Sequence, residues 1–300
     1  MATPFRIVES GQAFMPTAVS SGWETITPEE SRGIVWLFEE PKYNKLYIIG
    51  VDPAFGITGW DRTIPMDDQD KDNSAIEVFR VDNREVAAED RDGKKIIKYI
   101  PTAYQVAEYA GPVDYAETAA IVNALGRLYR GNGKMGVAHS IIEVYPGSGW
   151  MVEKTLISKY GYLNFYQPKF INTLEPQTAR GIGWQANVKS VRDLWIQGTR
   201  HINNRDVVLR SPWLISEMET TDPIKFMSYT SEAQSGFHDD RLRAFMLVLW
   251  AAFDFSSQVR VETKTTIEKN AKPVNWQASD LSSKRLEDAW AKRFREIKNS

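Results

Sequence analysis

The chain has no cysteine, only three histidines and almost no net charge: 37 Lys and Arg against 39 Asp and Glu leave a formal charge of -2 over 300 residues. The absence of cysteine excludes disulfides, zinc–thiolate centres and thiol nucleophiles, and is compatible with a reducing compartment. His139, His201 and His238 lie far apart and show no metal-ligand spacing. With no global basic signature, any nucleic acid must be met by a local basic surface. Long hydrophobic runs are missing too. The longest, Ala244 to Phe253, has about half the length that spans a bilayer and reads as a buried helix. The opening MATPFRIVESGQAF has no basic stretch followed by an apolar core, so the expectation is a chain that is neither secreted nor membrane-bound. No G-x-x-x-x-G-K-[ST] phosphate loop occurs. The nearest glycine-rich piece, Gly131-Asn132-Gly133-Lys134, has the wrong spacing and follows a helical pattern.

What is present is an ordinary globular composition, 42% hydrophobic and 25% charged. Residues 1–45, rich in Ser, Thr, Pro and Glu, read as an irregular lead-in with one apolar patch at Ile34–Phe38. Residues 46–255 read as the main domain. Leu46–Val51 is a buried strand ending at Asp52 and a Pro-Ala-Phe-Gly turn. Ser74–Val81 alternates apolar and polar residues as its hairpin partner, and a third strand runs from about Lys95 to Glu108. Helical spacing follows over Asp114–Leu128, then a buried strand over Ala138–Val144. Helices are expected near Trp150–Tyr160, Val188–Thr199 and Asp239–Phe255, with a short strand at Val207–Leu209. This alternation predicts an α/β fold, a central mixed β-sheet flanked by helices on both faces. Residues 256–300 read as a polar C-terminal tail, with Leu286, Trp290, Phe294 and Ile297 on one side of an amphipathic helix.

Three acidic positions stand where chemistry could use them. Asp52 ends an apolar strand, where a buried carboxylate needs a partner or a metal, although Asp before Pro also opens turns. Glu143 interrupts Ile141-Ile142-Glu143-Val144 just before a Gly147-Ser148-Gly149 loop, a setting for a ligand or for a structural salt bridge. Asp239 and Asp240 open the apolar C-terminal helix. Capping accounts for one Asp and leaves its neighbour over. Convergent hard oxygen ligands of this type suit Mg2+ or Mn2+.

The order and setting of these residues resemble the nuclease domain of the large terminase subunit of tailed bacteriophages. The resemblance runs from about Leu46 to Phe253. It rests on Tyr47-Ile48-Ile49-Gly50-Val51-Asp52-Pro53-Ala54, Lys71-Asp72-Asn73-Ser74-Ala75-Ile76, Ile142-Glu143 and Gly236-Phe237-His238-Asp239-Asp240-Arg241. It implies a ribonuclease H-like fold and two-metal cleavage of concatemeric double-stranded viral DNA, with little sequence preference, during genome packaging. Asp52, Glu143 and one or both of Asp239 and Asp240 would hold Mg2+ or Mn2+. Lys189, His238 and Asp72 are accessory candidates, and Lys154, Lys159, Lys169, Arg180, Arg192 and Arg200 could line a DNA groove. By the same resemblance the partners are a packaging ATPase domain, the portal and the small terminase subunit, in the host cell cytoplasm during virion assembly. Without a phosphate loop no ATPase activity is expected. The chain would be an excised domain or a split-gene product, with residues 1–45 as the linker from the ATPase. Three other readings stay open: a catalytically dead packaging or scaffold protein, and two enzymes. One enzyme is a nuclease like the Holliday-junction resolvases. The other is an actin-like or sugar-kinase-like ATPase, loosely matched by Asp52-Pro53-Ala54-Phe55-Gly56-Ile57-Thr58.

Overall fold

The computed structural model describes residues 3–10, 13–18, 31–54, 73–89, 95–131, 136–144, 148–167, 183–228 and 239–258. Contacts divide the chain into two units, Met1–Val261 and Glu262–Ser300. The described residues belong to the first, and the amphipathic helix expected at 282–298 lies outside them.

Strand β4 (Leu46–Asp52) is the hub of the sheet, because five consecutive residues of it are buried. A strand buried on both faces has to be apolar throughout, and Tyr47-Ile48-Ile49-Gly50-Val51 is. It pairs antiparallel with β5 (Ser74–Glu89) and parallel with β7 (His139–Ile142). β5 returns antiparallel through β6 (Lys95–Gly111), with a bulge between Val78 and Phe79. Both arms of this hairpin run on past the end of β4, which stops pairing at Val81.

Three more strands stand where the sequence suggests an irregular lead-in: β1 (Thr3–Ser10), β2 (Ala13–Ala18) and β3 (Ile34–Leu37). The apolar patch explains the last of them. Ile34-Val35-Trp36-Leu37 pairs with the free edge of β6, and Trp36 is buried with its ring 4.5 Å from that of Trp213. β1 then adds to β3 and β2 to β1, so the order is β2-β1-β3-β6-β5-β4-β7, with β8 (Val207–Val208) beside β6.

The helices are α1 (Tyr115–Leu128), α2 (Ser148–Tyr160), α3 (Val188–Asn203), α4 (Pro212–Thr220), α5 (Pro223–Ser228) and α6 (Asp240–Gln258). Successive strand residues face opposite sides of a sheet. Ile48, Phe79 and Ile141 accordingly join α3, α4, α5 and α6 in one core. Their neighbours Tyr47, Ile49 and Val51 are buried on the other face, where the Tyr47 ring meets Tyr129, just past α1, at 5.2 Å. The architecture is therefore α/β: a mixed sheet with helices against both faces. α6 is the most deeply buried helix, with Leu242, Ala244–Leu249, Ala251 and Ala252 all shielded. Each large apolar side chain among them contributes roughly 1.5–3 kcal/mol of transfer free energy. Among the described residues no helix is long and apolar enough to cross a membrane.

Candidate active site

Asp52 and Glu143 end up side by side because β4 and β7 are parallel and in register, Gly50 beside Ile141 and Val51 beside Ile142. The next residues along are the two acids, and the Glu143 amide donates to the Val51 carbonyl at 3.0 Å. By strand alternation both carboxylates project toward the α6 face. The chain after Asp52 is clamped. Ser148 Oγ donates to the Pro53 carbonyl at 2.6 Å, and the Ala54 amide donates to Ser74 Oγ at 3.0 Å. The first turn of α2 and the start of β5 thus hold the Asp52-Pro53-Ala54 corner.

The first turn of α6 closes the site from above the sheet. The Asp239 carbonyl accepts from the Arg243 amide at 2.9 Å, and the two side chains form an ion pair one turn apart at 3.1 Å. Asp240 is buried, and Asn73 Nδ2 donates to its Oδ2 over 3.5 Å, a long bond. Asp239 and Asp240 therefore do different things: one caps and pairs with Arg243, the other turns toward Asn73 at the head of β5.

The charges of these groups are felt across the cleft. Burial and then Glu143 push the Asp52 carboxyl well above the usual carboxylate range, with Asp240 and Asp239 adding to the rise and Arg243 opposing it. Burial raises Glu143 too, again against Arg243. Carboxylates crowded in this way resist ionising together until positive charge arrives. Hard oxygen donors from two strands and a helix match Mg2+ or Mn2+ in chemistry. As they stand, however, no three His, Asp or Glu side chains among the described residues are close enough together to enclose a metal ion.

Of the accessory candidates, Asp72 and His238 lie outside the described residues, as do Lys169 and Arg180. Lys189 is exposed on the first turn of α3. Among the described residues Arg243 is a cation acting on Asp52 and Glu143. Lys154 and Lys159 rest over the rings of Trp150 and Tyr160, at 4.9 and 5.2 Å, on α2. Arg192 and Arg200 are exposed on α3. Arg243 and Asn73 are not apparent in the sequence as site residues. The only signal for Arg243 is its i,i+4 spacing from Asp239.

A second polar cluster lies deeper under the same turn of α6. Glu77 on β5 and Glu108 on β6 are directly paired and fully buried. Gln105 Nε2 donates to both, at 2.9 and 3.3 Å. Arg241 Nη1 donates to Glu217 Oε1 at 3.0 Å, Nη2 donates to Ser31 Oγ at 2.8 Å, and Nε lies 3.8 Å from Glu108. Glu217 Oε2 accepts from the Leu242 amide at 3.1 Å, which ties α4 to the α6 terminus. Burial raises the Glu77 and Glu108 carboxyls and lifts Glu217 to about 7. Neighbouring arginines of one helical turn thus serve two acid groups, Arg243 the outer and Arg241 the inner.

No protein-family model and no curated protein matches the chain.

Proposed function

We propose that this chain is a divalent-metal-dependent endonuclease that hydrolyses double-stranded DNA. The observation that carries the reading is the adjacency of Asp52 and Glu143 at the ends of two parallel strands, within electrostatic reach of Asp239 and Asp240 at the start of α6. Mg2+ or Mn2+, when bound, would supply the Lewis acid that activates a water and stabilises the leaving oxygen. Asp52 and Glu143 would hold it from the strands and Asp239 or Asp240 from the helix. The clamps from Ser148 and Ser74 keep the Asp52 corner in place without outside help. Rigid backbone of this kind is what ligand geometry requires.

The strand order supports the finer reading of a ribonuclease H-like fold: an antiparallel meander β4-β5-β6, a helix, then β7 returning parallel to β4. Joined to the motif resemblance, it supports a role as the nuclease part of a phage terminase large subunit, cutting concatemeric DNA during packaging. The partners would be the packaging ATPase domain, the portal and the small subunit, in the host cytoplasm.

The test is supercoiled plasmid incubated with the chain in Mn2+ or Mg2+. Nicking and linearisation are expected, blocked by EDTA and absent in Asp52→Asn. An intact plasmid under both metals, or full activity in Asp52→Asn, overturns the reading.

A further inference from the structure

Arg243 is held from two sides. Its Nε is 3.1 Å from Asp239 Oδ2, and its guanidinium carbon sits 5.1 Å from the centre of the Phe226 ring. Phe226 on α5 is itself braced by the Trp195 ring at 4.8 Å. The Arg243 side chain is only 14% exposed. Asp239, Asp52 and Glu143 all act on this one guanidinium.

A guanidinium offers donors only, so it cannot ligate a metal ion, and its charge repels one. It can still do what a metal does for crowded carboxylates, which is to offset their repulsion. Asp52, Glu143 and Asp239 are donors of the kind a cation takes, and Arg243 already acts on all three. A cation and Arg243 compete for the same negative charge, and Asp239 cannot serve both fully.

We propose that Arg243 is a built-in counter-ion of these carboxylates, and that a divalent cation loads only by drawing Asp239 away from it. The proposal rests on the metal-dependent reading above and adds its regulation: the site stays unloaded at low cation concentration. A ligand that binds one of two arrangements better shifts the population by its differential affinity alone.

Mn2+ binding to the full chain, without DNA, is measured by the electron paramagnetic resonance signal of the free ion. Arg243→Gln is expected to bind Mn2+ at least about ten-fold more tightly than wild type, since a unit charge beside the site is gone. Arg243→Lys keeps the charge and should stay near wild type. Asp52→Asn should lose binding. A second measurement needs no variant. The Arg243 Nε–H resonance should move or vanish as Mg2+ is added to wild type, because its bond to Asp239 is given up. Unchanged or weaker Mn2+ affinity in Arg243→Gln, or an unmoved Nε–H signal at saturating Mg2+, overturns the proposal while leaving the nuclease reading intact. Absence of Mn2+ binding in both wild type and Arg243→Gln overturns both.

Discussion

Gly50 and Ala244 meet backbone to backbone: a Cβ on Gly50 would fall onto the Ala244 carbonyl oxygen. That contact sets how closely α6 approaches β4, and so how near the Asp239–Asp240 turn comes to Asp52. Gly50→Ala should therefore force the helix off the strand at a cost of about 3 kcal/mol, as overpacking of a close contact does. Cleavage should fall with it, because ligands from two elements must stay in register. Urea unfolding and a plasmid assay on the same preparation check this. Wild-type values in both would refute it.

Removing one acid from the cleft should separate activity from stability. Asp52→Asn and Glu143→Gln are expected to abolish cutting. At pH 8 without divalent cations they should be as stable as wild type or more stable by on the order of 1 kcal/mol, the worth of roughly one pKa unit. The reason is that both carboxyls are raised by burial and repulsion, so their ionised forms oppose folding. Denaturant titration with and without Mg2+ decides it. A clear loss of stability in either variant would contradict the account.

Two buried groups should tilt the pH dependence of stability in opposite directions. Glu217 titrates at about 7 in the fold against 4.5 ordinarily. Between those values the native state holds a proton that the unfolded chain releases, so this stabilisation is present at low pH and lost as pH rises through 7. His139, buried beside Asn164, is lowered by desolvation from 6.5 to about 4. Its neutral form is favoured in the fold, so stability is present above 6.5 and lost as pH falls toward 4. Glu217→Gln should make stability climb more steeply with pH between 4.5 and 6.5 than in wild type, and His139→Gln should do the reverse. Unfolding free energies at pH 5, 6 and 7 give the slopes, and parallel curves for all three proteins would exclude both assignments.

Arg241 is the cation among Glu77, Glu108 and Glu217. Arg241→Met should cost about 3–5 kcal/mol at pH 8, because it leaves buried carboxylates uncompensated. The loss should shrink at pH 5, where those raised carboxyls take up protons and no longer need the arginine. A penalty independent of pH would mean that packing, not charge, is what Arg241 supplies.

Much of the site-bearing frame is written in local patterns. The short apolar runs ending at Asp52 and Glu143 read as buried strands, and both form strands there. The pattern for α1 is equally plain, with Asp114 capping it by accepting from the amides of Ala116 and Glu117. The apolar run of α6 announces a core helix, which the structure begins at Asp240 and carries to Gln258. Less legible are β1 and β2, whose residues carry no strong alternation and whose place in the sheet runs through the pairing of β1 with β3 and of β3 with β6. The helix α4 was also hidden: its nine residues are too few for a periodic signal, and its place is held by the Glu217 bond to the α6 terminus.

The acids that opened the reading show the same division. Their chemical type, their order and their positions at strand and helix ends follow from the sequence, because burial and periodicity are properties of short segments. Which acid faces which partner does not. Asp239 pairs with Arg243 while its neighbour Asp240 turns to Asn73, a residue 167 positions away in the chain. Arg241 and Arg243, two residues apart, are sent to different carboxylate groups by the twist of one helical turn. Those assignments come from the parallel register of β4 and β7 and the close approach of α6 at Gly50. Long-range packing sets both, and of these pairings only Asp239–Arg243, at i,i+4 spacing, also has a local signal.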